Sequence, residues 1–327
     1  MDFVYYLFVG FLLSLFGAWC VFKYGFRFNI IDTPCSRSSH SRDIPKGGGI
    51  GILFSFLVLS IALDMPFIFW GPSCLISIVG FQGDRKELPV NFRLFIQILC
   101  GLCILITYEE INSVHSIVII AFFLIYIIGT TNIFNFMDGI DGIAGITAVV
   151  AFSSLAIYAL LSGSEKSYII ICTGIALSSC AFLFFNFPIA KVFMGDVGSV
   201  LLGFIFSSLV VIFSDSALDF ICMAGFLSLF YFDSISTMIL RLFRGESLSI
   251  PHRQHVYQLL ANELGIRHWK VSIVFGVIQA FISLIILVLR SRMVSLIVFF
   301  CVLLVTLFIF SINIREKVIR LNENQGF

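Results

Sequence analysis

The sequence predicts an all-α polytopic membrane protein of about eleven transmembrane helices, and three observations carry that prediction. Of 327 residues, 59% belong to the hydrophobic set and only 12% are charged, against about 25% charged in an ordinary soluble domain. The apolar residues gather into runs long enough to cross a bilayer. The basic residues sit on alternate loops, seventeen of the twenty Lys and Arg on one side.

A bilayer core takes roughly 17 to 25 mostly apolar residues, and the chain offers eleven candidate runs, three of them slightly short: 3–22, 47–63, 66–81, 92–108, 114–131, 143–161, 168–187, 199–214, 218–240, 271–289 and 293–312. The first has no positive region ahead of it and no small-residue cleavage site, so it reads as a retained span and not a removable signal. With eleven spans, one side collects Lys23, Arg27, Arg37, Arg42, Lys46, Arg85, Lys86, Arg93, Lys191, Arg241, Arg244, Arg253, Arg267, Lys270, Arg315, Lys317 and Arg320; the other has Lys166, Arg290 and Arg292. Basic loops stay in the cytoplasm, which puts the N-terminus outside and the C-terminus inside. No repeat, low-complexity tract or soluble segment interrupts the pattern, so 1–327 reads as a single integral-membrane domain. A net charge of +1 gives no basic stripe for a nucleic acid. The nine Cys lie scattered in apolar runs; Cys100 and Cys103, though spaced as CxxC, read as small buried hydrophobes.

The same alternation gathers the polar motifs 32–49, 83–93, 132–142, 186–198 and 241–258 on the cytoplasmic side. A transporter more often carries its ionisable groups at mid-membrane on broken helices. The most informative stretch is 132–142, where Asn132, Asn135, Asp138 and Asp141 recur every third residue. On a helix such residues are surface neighbours, nearly in line if the last turn tightens to a 3₁₀ helix, and two acids beside a membrane with no local basic partner call for a ligand. In the first loop, Arg37-Ser-Ser-His40 and Lys46 precede Gly47-Gly48-Gly49, cations followed by a glycine run that permits close backbone approach to an anion. The second loop holds Gly83-Asp84-Arg85-Lys86-Glu87, with Arg93 and Gln97 entering the next span; a solvated charge cluster is the plainer reading of it.

The fourth polar stretch, Asn186 to Ser199, sets Asp196 between Gly195 and Gly198 ahead of a span, which leaves a carboxylate open to Mg²⁺ and amides open to phosphate oxygens. Asp233 is an acid inside the ninth run, a functional suspect or the anchor of a neighbouring helix. Beyond it, His252, Arg253 and His255 lack the cysteines or the HExxH pattern of zinc sites and suit phosphates better. Mg²⁺ commonly binds through one or two carboxylates together with substrate phosphates, so this inventory fits phosphoryl transfer between a soluble nucleotide and a lipid acceptor. No Walker A, GxSxG or kinase signature is present.

Five ordered motifs now carry a resemblance: Arg37-Ser-Ser-His40 with Lys46-Gly-Gly-Gly49, Asp84-Arg85, NxxNxxDGIDG at 132–142, NxPxAKVFMGDxGS at 186–199, and HRxHxYQ at 252–258. Over nearly the whole chain they resemble the polyprenyl-phosphate N-acetylhexosamine-1-phosphate transferases (glycosyltransferase family 4), in particular the bacterial branch that starts O-antigen or capsule chains. The resemblance implies transfer of a sugar 1-phosphate from a UDP-N-acetylhexosamine to undecaprenyl phosphate, with UMP released and Mg²⁺ required, Mn²⁺ being the alternative cation. It implies the bacterial inner (cytoplasmic) membrane, an active site facing the cytoplasm, membrane lipids as surroundings and no nucleic-acid partner, and it allows a homodimer.

Position by position, it makes Asp84, Asp138, Asp141 and Asp196 the catalytic acids, with Asp196 and Asp138 on the metal. Phe193 would stack on the uracil, Lys46, Arg253 and His255 would neutralise the diphosphate, and Asn132, Asn135, Asn186 and Gly198 would complete the substrate site. Two departures stand out. The family has two consecutive acids where this chain has Gly83-Asp84, and a histidine run where it has His255-Val-Tyr257-Gln258. The first leaves room for a non-catalytic binder or a transporter of nucleotide-sugar or polyprenyl lipid.

Overall fold

The computed structural model describes residues 3–34, 39–86, 88–106, 114–247 and 253–324. Arg37, Ser38 and His252, which the sequence motifs include, lie outside them. The described chain runs α1 (Phe3–Tyr24), β1 (Ile31–Asp32), β2 (Ile44–Pro45), α2 (Ile50–Ala62), α3 (Phe67–Arg85), α4 (Val90–Ile106), α5 (Val114–Phe136), α6 (Ile143–Leu161), α7 (Lys166–Asn186), α8 (Asp196–Ile212), α9 (Ala217–Ala224), α10 (Ser228–Phe243), α11 (Val256–Gln258), α12 (His268–Leu289) and α13 (Met293–Asn324). Each of the eleven apolar runs corresponds to helix, α9 and α10 together forming the ninth. Seven helical stretches among the described residues are long and apolar enough to cross a bilayer alone, while α2, α4 and α8 are apolar but shorter.

The bundle is organised around α8. Every residue from Val197 to Val211 is buried, because α2, α3, α5 and α6 pack around it. A helix apolar on all sides belongs inside a protein or a membrane. α13 is the opposite case, with Val294, Val302, Val305 and Phe308 exposed, a surface that hydrocarbon and not water must cover. The tiny antiparallel ribbon of β1 and β2 pairs Ile31 with Pro45 and Asp32 with Ile44.

Two elements differ from the sequence reading. The ninth run is not one helix: between α9 and α10 the turn Gly225–Leu227 tightens to 3₁₀. Gln279 of α12 causes the break, its amide donating to the Gly225 carbonyl at 3.2 Å and its oxygen accepting the Leu229 N–H at 3.1 Å. A side chain inserted into the helical ladder kinks it and satisfies the groups it frees. The polar ladder at 132–141 is also broken, because α5 stops at Phe136. Asn132 and Asn135 stay on the last turns of α5, while Asp138 and Asp141 stand in the loop 137–142.

Candidate active site

The helix ends of α3, α5 and α8, the ribbon and α11 converge on a polar cavity of about 420 Å³ whose walls include Lys46, Asp84, Asn135, Asp138, Asn186, Phe193, Asp196 and Gln258. The backbone sets the floor. Gly48 and Gly49 donate their N–H groups to the carbonyls of Phe193 and Met194, each at 2.9 Å, and the Phe193 N–H returns to the Pro45 carbonyl at 2.8 Å. The first loop is thereby stitched to the loop before α8, and Lys46 lies beside Phe193. Gly195 sits at φ +74°, where a Cβ would fall 2.5 Å from an Asp84 oxygen; only glycine meets both conditions.

Asp84 is buried at the end of α3, with its two carboxylate oxygens accepting the N–H groups of Asp196 at 3.1 Å and Val197 at 3.2 Å. These are orphan donors of the α8 N-terminus, so a side chain from another helix caps α8 and fixes Asp196. The Asp196 carboxylate accepts from Asn135 Nδ2 at 2.8 Å on one oxygen and pairs with Arg93 at 2.7 Å on the other. Asn135 also reaches Ser199 Oγ at 2.8 Å. Asp138 faces the cavity without a side-chain partner among the described residues. Burial first, then the charges of Asp196 and Asp84, push its carboxyl up to about 7 from the usual 3.8.

Asp196 is paired with Arg93, but the repulsion that raises Asp138 is the electrostatic condition a cation removes. Among the described residues no three His, Cys, Asp or Glu side chains converge as a metal cage. Asp138 and Asp196 are the cavity carboxylates that could hold a hard cation together with ligand oxygens.

The other residues singled out in the sequence divide. Asn186 lines the cavity, its oxygen accepting the Gly142 N–H at 2.8 Å and its amide donating to the Val192 carbonyl at 2.9 Å, which ties the two acidic loops together. Asn132 is turned to Gln97 of α4, donating to it at 2.7 Å. Asp141 faces α12, with His268 at 3.5 Å and Ser272 Oγ donating to its carbonyl at 2.7 Å. Gly198 packs against Gly49 where α2 meets α8. His255 is buried, 3.5 Å from Asp233, and Arg253 is half-buried; neither is among the cavity walls.

Sequence reasoning named Arg93, His40 and Gln258 within its motifs but gave none of them, nor Asp32, a role in the site. Arg93 and Gln97 are one turn apart on α4, and that single face serves both Asp196 and Asn132; the i,i+4 spacing was the available signal. His40 joins the wall through Asp32 at 3.2 Å and an edge-on contact with the Phe193 ring at 4.9 Å between centroids.

With this geometry in place, the likeness to known proteins is specific. The model of the family described as Glycosyl transferase family 4 matches residues 66–214, which contain Asp84, Asn135, Asp138, Asn186, Phe193 and Asp196. Over 244 residues the chain is 27% identical to the undecaprenyl-phosphate alpha-N-acetylglucosaminyl 1-phosphate transferase of Thermotoga maritima, spanning 75% of this chain and 76% of that one. It is 26% identical over 293 residues to the probable undecaprenyl-phosphate N-acetylglucosaminyl 1-phosphate transferase of Bacillus subtilis, 84% of this chain and 81% of the relative. A Yersinia pestis protein bearing the same name as the Thermotoga one is 24% identical over 274 residues, 76% of this chain and 74% of that one. Lys46 and Gln258 lie outside the matched segment yet wall the same cavity, so the site reaches beyond the segment that is similar to glycosyl transferase family 4.

Proposed function

We propose that the protein transfers N-acetylhexosamine 1-phosphate from a UDP-N-acetylhexosamine to undecaprenyl phosphate, releasing UMP and starting a lipid-linked cell-envelope glycan. The observation that carries this reading is the cavity itself: two acids, Asp138 and Asp196, face a cation, Lys46, and an aromatic face, Phe193, within one 420 Å³ space. The relatives' names support the lipid acceptor and the sugar. The asymmetry of the basic residues supports a cavity opening to the cytoplasm.

In this reading Asp138 and Asp196 would hold Mg²⁺, which would supply charge neutralisation for the phosphoryl transfer. Phe193 takes the uracil on its face, and Lys46 neutralises the diphosphate. An oxygen of the acceptor phosphate attacks the sugar-bearing phosphorus in line; that phosphorus separates from the oxygen bridging it to the second phosphorus, and UMP leaves with the bonding pair. Phosphoryl transfer needs alignment and charge stabilisation more than covalent help.

The acceptor phosphate, with a second pKa of about 6, arrives largely ionised near neutral pH. Asp84 is occupied as the cap of α8, and its part is to hold Asp196 in place. The direct route is therefore preferred to an aspartyl-phosphate intermediate.

The test is UMP release by the purified protein from a panel of UDP-N-acetylhexosamines, UDP-N-acetylglucosamine first, with undecaprenyl phosphate and Mg²⁺. Turnover with one of them is expected. A preparation that binds UDP yet turns over none of them sinks the reading.

A second reading, a non-catalytic binder, draws on Gly83. A Cβ there would meet only Asp196 Oδ2, at 3.8 Å, so the place of the family's first acid is open and unfilled. Gly83→Asp separates the two: a dead binder with an otherwise intact site gains turnover, whereas an active enzyme does not depend on the change.

A further inference from the structure

One buried acid takes no part in the chemistry above. Asp233 of α10 is 2% exposed and is not among the cavity walls. Its oxygens accept the N–H groups of Val256 at 2.8 Å and Tyr257 at 3.1 Å, with Thr237 Oγ1 at 3.4 Å. These amides open α11, so a carboxylate from another helix caps this turn just as Asp84 caps α8. In an interior of low dielectric, two amides left without acceptors are strongly unfavourable, which makes the position of α11 depend on Asp233.

α11 in turn reaches the cavity by two routes. The Tyr257 side chain is fully buried and donates its hydroxyl to the Phe136 carbonyl at 3.0 Å. Its ring lies against Gly139, where any side chain would collide with the hydroxyl. Asp138 stands between these two anchor points, so Tyr257 braces the loop that carries it. The next residue, Gln258, faces the cavity, and its side-chain oxygen accepts the His255 N–H at 3.4 Å.

We propose that Asp233 is a positioning residue: it fixes the α11 turn, through which Tyr257 holds the Asp138 loop and Gln258 is presented to the cavity. The proposal rests on the reading of that cavity as a nucleotide-sugar site. It assigns Asp233 and Tyr257 an effect on donor binding and none on the acceptor.

The experiment uses the full chain in lipid nanodiscs as wild type, Tyr257→Phe and Asp233→Asn, with UDP binding followed by thermal shift and KM measured separately for donor and acceptor. Tyr257→Phe keeps the ring and the cap and removes one hydrogen bond, so the donor KM is expected to rise about fivefold, the equivalent of one ordinary net hydrogen bond, with the acceptor KM within about twofold. Asp233→Asn leaves one acceptor oxygen for two amides, and a rise of at least about tenfold in the donor KM is expected.

A fall in kcat with both KM values unchanged describes a merely structural role and overturns the proposal. So does a Tyr257→Phe enzyme indistinguishable from wild type, which decides the matter even if Asp233→Asn does not fold. If wild type itself neither binds UDP nor releases UMP, the proposed function falls and this inference with it; if wild type is active and the split is missing, only this inference falls.

Discussion

Replacing Asp138 by Asn is expected to stabilise the metal-free protein and to disable it, a pair of opposite effects that a structural residue does not give. The Asp138 carboxyl is held up to about 7 from 3.8 by burial and by Asp196 and Asp84. Each pKa unit is worth about 1.4 kcal/mol, so a fully buried group shifted this far opposes folding by up to about 4 kcal/mol; contact with cavity water screens that to roughly 1–2 kcal/mol.

The sign follows from linkage. Below about pH 4 the group is protonated in folded and unfolded chains alike, and no penalty exists. As pH rises from about 4 to 7 the unfolded chain releases its proton while the fold retains it, and the penalty is complete above about 7. Asp138→Asn removes it. The melting temperature at pH 8 without divalent cation should therefore rise by a few degrees, at about 2–4 °C per kcal/mol, with little change near pH 4.5. Saturating Mg²⁺ should narrow the pH 8 difference, because the cation relieves the same repulsion in wild type. Turnover should fall at least about a hundredfold, the scale of losing one preorganised electrostatic contact. Lower stability at pH 8, or near-wild-type turnover, would refute this account of the site.

Other variants probe the remaining parts. Asp196→Asn should abolish turnover, by at least about a hundredfold, while the chain still melts cooperatively, since the Asn135 contact at 2.8 Å persists with a neutral partner. Asp84→Asn should both lower turnover strongly and cost about 1–3 kcal/mol of stability, because one of the two amides at the start of α8 loses its acceptor; thermal unfolding and UMP release are read on the same preparation. Phe193→Ala should weaken UDP binding by roughly tenfold, within the range of about 1–3 kcal/mol for a base stacked on an aromatic ring, and leave the acceptor KM unchanged in steady-state assays.

The helices were legible because a bilayer imposes length and hydrophobicity on each one separately, and eleven such runs need no long-range knowledge to be counted. Their polar ends were less so: α3 continues through Asp84 and α5 through Asn135, since helical backbone does not stop where apolar residues do. The break at Gly225 could not be read from its own neighbourhood, because its cause is Gln279, 54 residues away.

Asp138, Asp196, Lys46 and Phe193 were identifiable as cavity residues by chemical type and motif. Asn132 and Asp141 carry the same spacing and chemistry, yet they serve Gln97 and α12, because the end of α5 at Phe136 divides the ladder. The function of Asp84 as a cap was hidden, and for Asp233 the sequence offered the anchoring of a neighbouring helix but not which one. A carboxylate that caps its own helix leaves a local pattern, whereas one that caps a distant helix is visible only once the two helices meet.

The central claim is that the sugar and the phosphate attached to it travel together. UDP-N-acetylhexosamine labelled with ³²P in the sugar-bearing phosphate, incubated with the purified protein, undecaprenyl phosphate and Mg²⁺, tests it directly. The account predicts label in the butanol-extracted lipid as an undecaprenyl diphosphate sugar, with unlabelled UMP formed in equal amount. Label remaining in water-soluble UDP while the sugar moves to the lipid, or label on neither product in a preparation that binds UDP, would contradict it.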